Sequence, residues 1–436
     1  MKRSPHQLTA HGLAAAVIAT YLVLAVQFPA AYIVGTMEDY FGEWLQFFLF
    51  CLTALLAARL ALAKTGYRFF FALLALACLY AAMEEISWGQ RIFDFGTPDF
   101  IRTHNIQNET NIHNFFTGPI NTLTKRIIEY AVSAGLLLYG LAYPFALGRN
   151  WPPAAWLEGK GLAAPPLYLW PYFAAGAILD PEFFHLNEAE VAEIIIPLGL
   201  GIVCLHYWNA HREKADVHTI SRWPAALSKK LAGQAALLFL LACLLSTAAT
   251  YLTYRSPRLF LAAERRFQNV AAKHGEVYRR KELWQTALKL YHAMEERRPA
   301  SAFVMRSLAR CYEKVGCADE AEAYTRKALA LDLERLEKTP ERTALHLSLV
   351  HTYLLLDDRE NADMHLEIAL RNARRQVEQE PDSASAHYWL GKTSAMMDDY
   401  QAAAGQYARA CELRPDSIKY RRALDTARRR AAPDTD

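Results

Sequence analysis

The stretch LAGQAALLFLLACLLSTAATYLTYRSPRLFLAAERR, residues 231–266, holds the break on which the fold turns. Its first 22 residues, Leu231 to Leu252, carry no charge, and a helix of about 20 apolar residues is long enough to cross the hydrocarbon core of a bilayer. From Arg255 onward charges arrive in quick succession, at Arg258, Glu264, Arg265 and Arg266. The same contrast holds for the chain as a whole. Residues 1–255 are very apolar and the remainder is polar and charged, so the mean hydropathy of -0.01 averages two unlike halves. A shift of this kind separates a membrane region from a soluble domain. The net charge of +3 over 436 residues gives no electrostatic reason to expect a nucleic acid partner.

Working toward the N-terminus, further apolar stretches lie at about 12–34, 44–63, 67–88, 127–147, 161–179 and 191–208. With 231–252 they make seven expected spans. The stretch at 161–179 is interrupted by Pro165, Pro166 and Pro171, and the one at 191–208 contains Pro197. Neighbouring helices can satisfy the backbone groups that a proline frees. Gly12 to Val34 is 23 residues long and uncharged, which exceeds the core of a secretory signal peptide and suits a retained span.

An odd number of spans brings every segment after an odd-numbered span out on one side. Those segments are the acidic Glu38–Glu43 loop, the long loop over 91–122, the Asp180–Glu188 turn and the whole polar half. The short connections on the other side hold eleven Lys and Arg, Lys2, Arg3, Lys229 and Lys230 among them. The excess of positive charge in short cytoplasmic loops places the N-terminus in the cytoplasm and the polar half outside it. The expected location is therefore a bacterial inner membrane.

Four of the seven cysteines (Cys51, Cys78, Cys204, Cys243) fall in apolar stretches and none has CxxC spacing. They read as small hydrophobes. Cys311 and Cys317 could pair only in an oxidising compartment.

In the polar half, Ala287, Ala321, Ala362 and Ala403 precede similar apolar patterns at spacings of 34, 41 and 41. With Gly275, Tyr278, Tyr291 and Pro299 in the first unit, Leu308, Tyr312 and Ala328 in the second, Leu349, Tyr353 and Ala369 in the third, and Leu390, Gly391, Tyr407, Ala410 and Pro415 in the fourth, residues 258–430 resemble the tetratricopeptide (TPR) family, whose period is 34. The resemblance implies an α-solenoid of about four helix-turn-helix repeats that binds a protein or peptide. The seven extra residues of the two longer intervals are close to two turns of helix at ~3.6 residues each, so they fit a longer second helix.

The most unusual polar group in the apolar half is EEISWGQR, residues 84–91, followed by HNIQNETNIHNF at 104–115. On a continuing helix Glu84, Ser87 and Arg91 share a face. Ionisable groups at such depth normally face a bundle interior or a watery cavity. The amide run alternates strictly through Asn105, Gln107, Glu109, Asn111 and His113, whereas a helix would group Gln107, Asn111 and Asn114. At 180–193, Asn187 with Glu190 has the spacing of a capping box, and Glu193 lies deeper in its apolar helix.

EEISWGQRIF with the amide run resembles a signature of bacterial polytopic membrane proteins of unassigned activity, over residues 38–193. EDYFGEWLQ is faintly similar to the first helix of the alkaline ceramidase superfamily, zinc-using membrane hydrolases, but the late histidine pair of those enzymes is missing: His206 and His211 are five apart.

These readings predict an all-α chain, a seven-helix transmembrane bundle over 1–255 followed by a TPR α-solenoid over 258–430. The expected function is a membrane-embedded hydrolase or lipid-modifying enzyme whose site opens on the extracytoplasmic side. Glu84, Glu85, Glu109 and His113 are expected to carry acid, base or ligand roles. Ser87, Gln90, Arg91, Asn105, Gln107, Asn111, Asn114 and Glu193 are expected to bind substrate. His113, His185 and Glu84 are the set that would hold a divalent metal such as zinc, which would activate a water. A non-catalytic scaffold that recruits partners through the repeats, and a transporter, are the alternative readings. The expected partners are the lipid bilayer and a protein or peptide.

Overall fold

The structure, a computed structural model, describes residues 5–37, 40–63, 66–90, 96–98, 110, 123–213, 229–415 and 417–432, and no strand occurs among them. The chain divides into two compact units, Met1–Val277 and Tyr278–Asp436.

The first unit begins with α1 (Pro5–Gln27) and α2 (Pro29–Thr36). The apolar stretch at 12–34 is therefore broken at Phe28 (φ -133°), where Pro29 starts a new helix. Next come α3 (Phe41–Leu62) and α4 (Arg68–Glu85), then α5 (Leu123–Leu137), which runs through a wider π turn at Leu138–Ala142 into α6 (Tyr143–Gly148). After α7 (Pro152–Gly159), α8 (Trp170–Leu179) is the short helical part of the expected 161–179 span. Two long helices follow, α9 (Glu188–Arg212) and α10 (Lys229–Tyr254), and then α11 (Pro257–Arg280).

Among the described residues four helices are long and apolar enough to cross a membrane: Phe41–Leu62, Lys125–Gly148, Glu188–Arg212 and Lys230–Tyr254. Of these α9 is central, with 72% of its apolar window buried against 22% for α10. Outward faces are apolar instead of polar: Leu55, Leu73, Leu76, Leu237, Leu240 and Leu244 are all exposed. Exposed apolar faces of this kind mark contact with a membrane or with another protein. Small residues set the close contacts within. A Cβ on Gly42 would meet the Gly35 carbonyl oxygen at 2.2 Å, and one on Gly140 would meet the Phe173 ring at 2.2 Å, as expected where helices pack backbone to backbone.

Pro165 and Pro166 explain why 162–166 is not helical, since each removes an amide donor. Non-helical backbone inside an apolar bundle needs other partners. Three tyrosines supply them: Tyr143 donates to the Leu162 carbonyl (2.8 Å), Tyr139 to Ala163 (3.1 Å) and Tyr207 to Ala164 (2.9 Å). In α9, where Pro197 sits, the Thr53 hydroxyl of α3 donates to the Pro197 carbonyl at 3.0 Å.

The division between units falls inside α11 and not at the composition break near 255. Ala263, Phe267, Ala271 and His274 form a stripe at helical spacing, and all are buried. The His274 ring lies 6.2 Å from Tyr32, and Phe260 lies 6.1 Å from Tyr254.

The second unit is a run of antiparallel helix pairs. Its helices are α12 (Trp284–Arg297), α13 (Ala302–Lys314), α14 (Ala318–Lys338), α15 (Thr343–Leu355), α16 (Arg359–Gln379), α17 (Ala384–Met396), α18 (Tyr400–Leu413) and α19 (Ile418–Ala431). The second helices α14 and α16 are 21 residues long against 14 for α12 and α18, the seven-residue difference lying where the 41-residue intervals put it. Ala287, Ala362 and Ala403, and Ala328, Ala369 and Ala410 seven residues after an aligned alanine, about two turns further, are buried where paired helices meet. Ser301, Asp358, Ser383, Asp399 and Ser417 each cap a helix by accepting a backbone N–H.

One recurrent feature escaped the sequence reading. The turn inside each pair is made by a residue in the left-handed region: Glu282 (φ 59°), Gly316 (φ 83°), Asp357 (φ 56°) and Asp398 (φ 59°), each five positions before an aligned alanine.

Candidate functional site

Several contacts locate one end of the bundle. Gln46, in the second turn of α3, donates to the Glu190 carboxylate at 2.8 Å and to its carbonyl at 3.0 Å, so the starts of α3 and α9 lie together. Because α4 folds back on α3 through a short turn, its C-terminus reaches that same end. Tyr254, closing α10, has its ring 5.1 Å from Tyr40, which precedes α3. The chain therefore leaves the bundle at the end that holds the acidic groups of α4 and α9.

At the close of α4, the expected continuing helix is not formed. Ser87 (φ 48°), Trp88 (φ 56°) and Gly89 (φ 85°) are three successive left-handed residues. Only glycine enters this region without steric cost, and the other two store about 1–2 kcal/mol each. The common face expected for Glu84, Ser87 and Arg91 is replaced by a tight reversal. It turns the Trp88 indole back so that Nε1–H donates to Glu84 Oε1 at 2.5 Å. Tyr80, one turn earlier, also hydrogen-bonds Glu84, and its ring lies 6.0 Å from Trp88.

Glu84 is 8% exposed and Glu85 is half-buried. The Ser87 hydroxyl is fully buried with no hydrogen-bond partner among the described residues. Gln90 works differently. Its amide N–H donates to Thr97 (2.9 Å), and its Oε1 accepts from both the backbone N–H (2.8 Å) and the hydroxyl (2.7 Å) of Thr110. This side chain, expected to bind substrate, has its carbonyl oxygen and one amide N–H engaged by its own chain.

The turn before α9 also departs from expectation. Asn187 is left-handed (φ 58°) and makes no capping bond; its amide donates to the Thr36 carbonyl at 3.3 Å. The capping box of Asn187 with Glu190 does not form, because a left-handed residue directs its side chain away from the helix amides. Glu188 instead closes the turn that precedes the helix, accepting from the Leu186 N–H at 2.8 Å and from the Phe184 N–H. Glu193 is half-buried on α9 and His185 is exposed. Lys125 pairs with Glu129 at 3.5 Å near the end of α8. There burial, with Glu129 and Glu182 alongside, pushes the Asp180 carboxyl up to about 6, and Lys125 opposes the rise. Burial raises Glu182 as well.

Arg91, Asn105, Gln107, Glu109, Asn111, His113 and Asn114 lie outside the described residues. Among the described residues no three His, Cys, Asp or Glu side chains converge as a metal site. Sequence reasoning missed Trp88 as the partner of Glu84, Gln46 as that of Glu190, and Glu188 as the acceptor that closes the turn before α9. Gly89 was the single signal that could have flagged the turn.

No protein-family model matches the chain, and no curated protein matches it. Among solved structures, the crystal structure of the MamA protein is similar over 37% of this chain and 81% of that one, at 17% identity and a TM-score of 0.18. At that score the likeness carries no argument, and the paired-helix architecture rests on the structure described above.

Proposed function

We propose that this chain is an integral inner-membrane protein whose first unit is a hydrolase or lipid-modifying enzyme, and whose second unit is a TPR module that recruits a protein partner on the extracytoplasmic side. The observation that carries the reading is the Glu84–Trp88 turn. A buried carboxylate ends an apolar helix, followed by a buried serine hydroxyl in a strained left-handed reversal that brings Trp88 back onto the carboxylate. Strain of this kind collects at active sites, where it holds groups in a reactive arrangement. Glu84 serves as general acid or base, with Ser87 beside it. The exposed leucines of the bundle support a bilayer around it, and Tyr254 next to Tyr40 supports an exit of the chain at the site's own end. Glu85, Glu109 and His113, with Arg91 for an anionic headgroup, complete the proposed constellation, and His113, His185 and Glu84 are the set that would hold a divalent metal such as zinc as water activator.

The test uses purified full-length protein in nanodiscs of bacterial polar lipid, with lipid products followed by mass spectrometry and metal content measured in parallel. Glu84→Gln and Ser87→Ala should stop turnover and leave insertion and thermal stability intact. Loss of folding instead would favour a second reading, the non-catalytic scaffold, which the closed Gln90–Thr97–Thr110 clasp supports.

A further inference from the structure

One register inside the second unit is filled differently in each of three helix pairs. Positions 305 and 324, 346 and 365, and 387 and 406 are related by 41 residues, and they hold Met and Tyr, His and His, and His and Gln. In α13 and α14, Met305 and Tyr324 belong to one apolar cluster. In α17 and α18, His387 Nδ1 lies 2.8 Å from the Gln406 amide, and its Nε2 lies 2.9 Å from the Pro381 carbonyl. In α15 and α16 two imidazoles meet. His346 Nδ1 is 2.9 Å from His365 Nδ1, and His346 Nε2 is 2.8 Å from the Pro340 carbonyl. Both rings are buried, at 3% and 6% exposure.

These contacts fix where the protons sit. A carbonyl only accepts, so the neutral His346 carries its hydrogen on Nε2 and presents a bare Nδ1. His365 must then donate from its own Nδ1, which leaves His365 Nε2 as the basic nitrogen of the pair. An added proton goes there and puts a positive charge in a buried site, which burial disfavours. A second proton can enter only at His346 Nδ1, where two donors and two like charges would stand face to face, so the contact has to open. The His387 pair escapes this conflict, because the Gln406 amide offers a donor or an acceptor as the imidazole requires. The Met305 pair has no imidazole to charge.

The charged groups of the adjoining elements are engaged elsewhere. Asp332 of α14 is bound to Arg306 and Ser348, and Glu341, beside Pro340, is paired with Arg375 of α16 at 3.2 Å. On α15, Tyr353 stacks on the His365 ring at 5.5 Å and 12°. On α17, His387 is held as described. No carboxylate among the described residues bonds either imidazole of the pair. Burial, and then His346, hold His365 below its ordinary value. Further along α15, His351 is held down at about 4 by burial and by Arg310, Lys392 and Arg306, so it adds a separate acid response to the same helix.

We propose that His346 and His365 form a proton-operated latch that closes the α15–α16 pair at neutral pH and loosens it in acid. The folded state takes up protons less readily here than the opened one, in which each imidazole titrates near about 6.5. Stability from the pair is therefore complete above that value and is lost as pH falls below it. The latch acts within the second unit and does not depend on the enzyme reading of the first.

The test is hydrogen–deuterium exchange followed by mass spectrometry on full-length protein in nanodiscs at pH 7.5 and 5.0, with exchange times scaled for the pH dependence of free amides. It is run in the wild type and in a His351→Gln background, which removes the second acid response. In both, opening of 343–379 should become on the order of tenfold more frequent in acid, beyond any change in 302–338 and 384–413. His365→Gln, which copies the next pair, should remove that excess in the His351→Gln background. So should His346→Met with His365→Tyr, which copies the preceding pair and decides the matter where His365→Gln disturbs the fold at pH 7.5. Equal loss of protection in all three pairs, or an excess in 343–379 that survives these substitutions, overturns the latch.

Discussion

The two units solve the same problem, how to turn a helical chain back on itself, in opposite ways. The second unit repeats one solution. A left-handed residue stands at 282, 316, 357 and 398 inside each pair, small side chains sit where helices meet, and hydroxyl or carboxylate caps open most helices. The first unit uses each solution once: a Ser87–Trp88–Gly89 reversal, three tyrosines on the carbonyls of 162–164, and Glu188 gathering the amides of its own turn. Repetition spreads a requirement over several sites. A solution used once concentrates it, and such sites are where function and sensitivity to substitution should lie.

The strongest challenge to that contrast is at Glu84. Glu84→Gln should lower lipid turnover in nanodiscs at least 100-fold, equivalent to about 3 kcal/mol of lost stabilisation of the transition state. Unchanged turnover would make the reversal as ordinary as the repeat turns. Next in size is the tyrosine clasp. Tyr207→Phe leaves the Ala164 carbonyl without its hydroxyl, and chemical denaturation in detergent should show a loss of about 1–3 kcal/mol.

Asp180 sharpens the comparison through pH. Its folded pKa lies above the ordinary carboxylate value, so the native state binds the proton more tightly than the unfolded state does. Stability from this group is present in acid and is lost as pH rises from about 4 through 6. Asp180→Asn should remove that slope and raise the melting temperature at pH 7.5, by an amount equivalent to about 1 kcal/mol after solvent screening. The smallest effect belongs to the repeated turns. Asp357→Gly relieves a left-handed aspartate and should stabilise the second unit by up to about 1 kcal/mol, read from its unfolding transition.

How much was legible follows the same line. The alanine spacing shows the helix pairs and the longer second helices, because a repeated constraint leaves a period in the sequence. Glu84 could be singled out because a charge in an apolar run is costly wherever it ends up. Its Trp88 partner could not, since a tryptophan in left-handed backbone has no sequence signature and helical spacing points the indole elsewhere. The proline-rich 161–179 stretch has span-like composition, and only the three distant tyrosine hydroxyls reveal how it stays irregular. Asn187 and Glu190 match a capping pattern that a single backbone angle cancels.

The central helix α9 has a mechanical consequence. At ~1.5 Å per residue its 25 residues make a rod of about 37 Å, held near one tip through Glu190 to Gln46 and toward the other through Asn209 to Gln234 (2.6 Å). Gly199 and Gly201 leave room for Tyr172 and Leu238 to lie close against its flanks. A side chain added at Gly199 or Gly201 would therefore press on Tyr172 or Leu238 in the middle of the rod, between its two anchors.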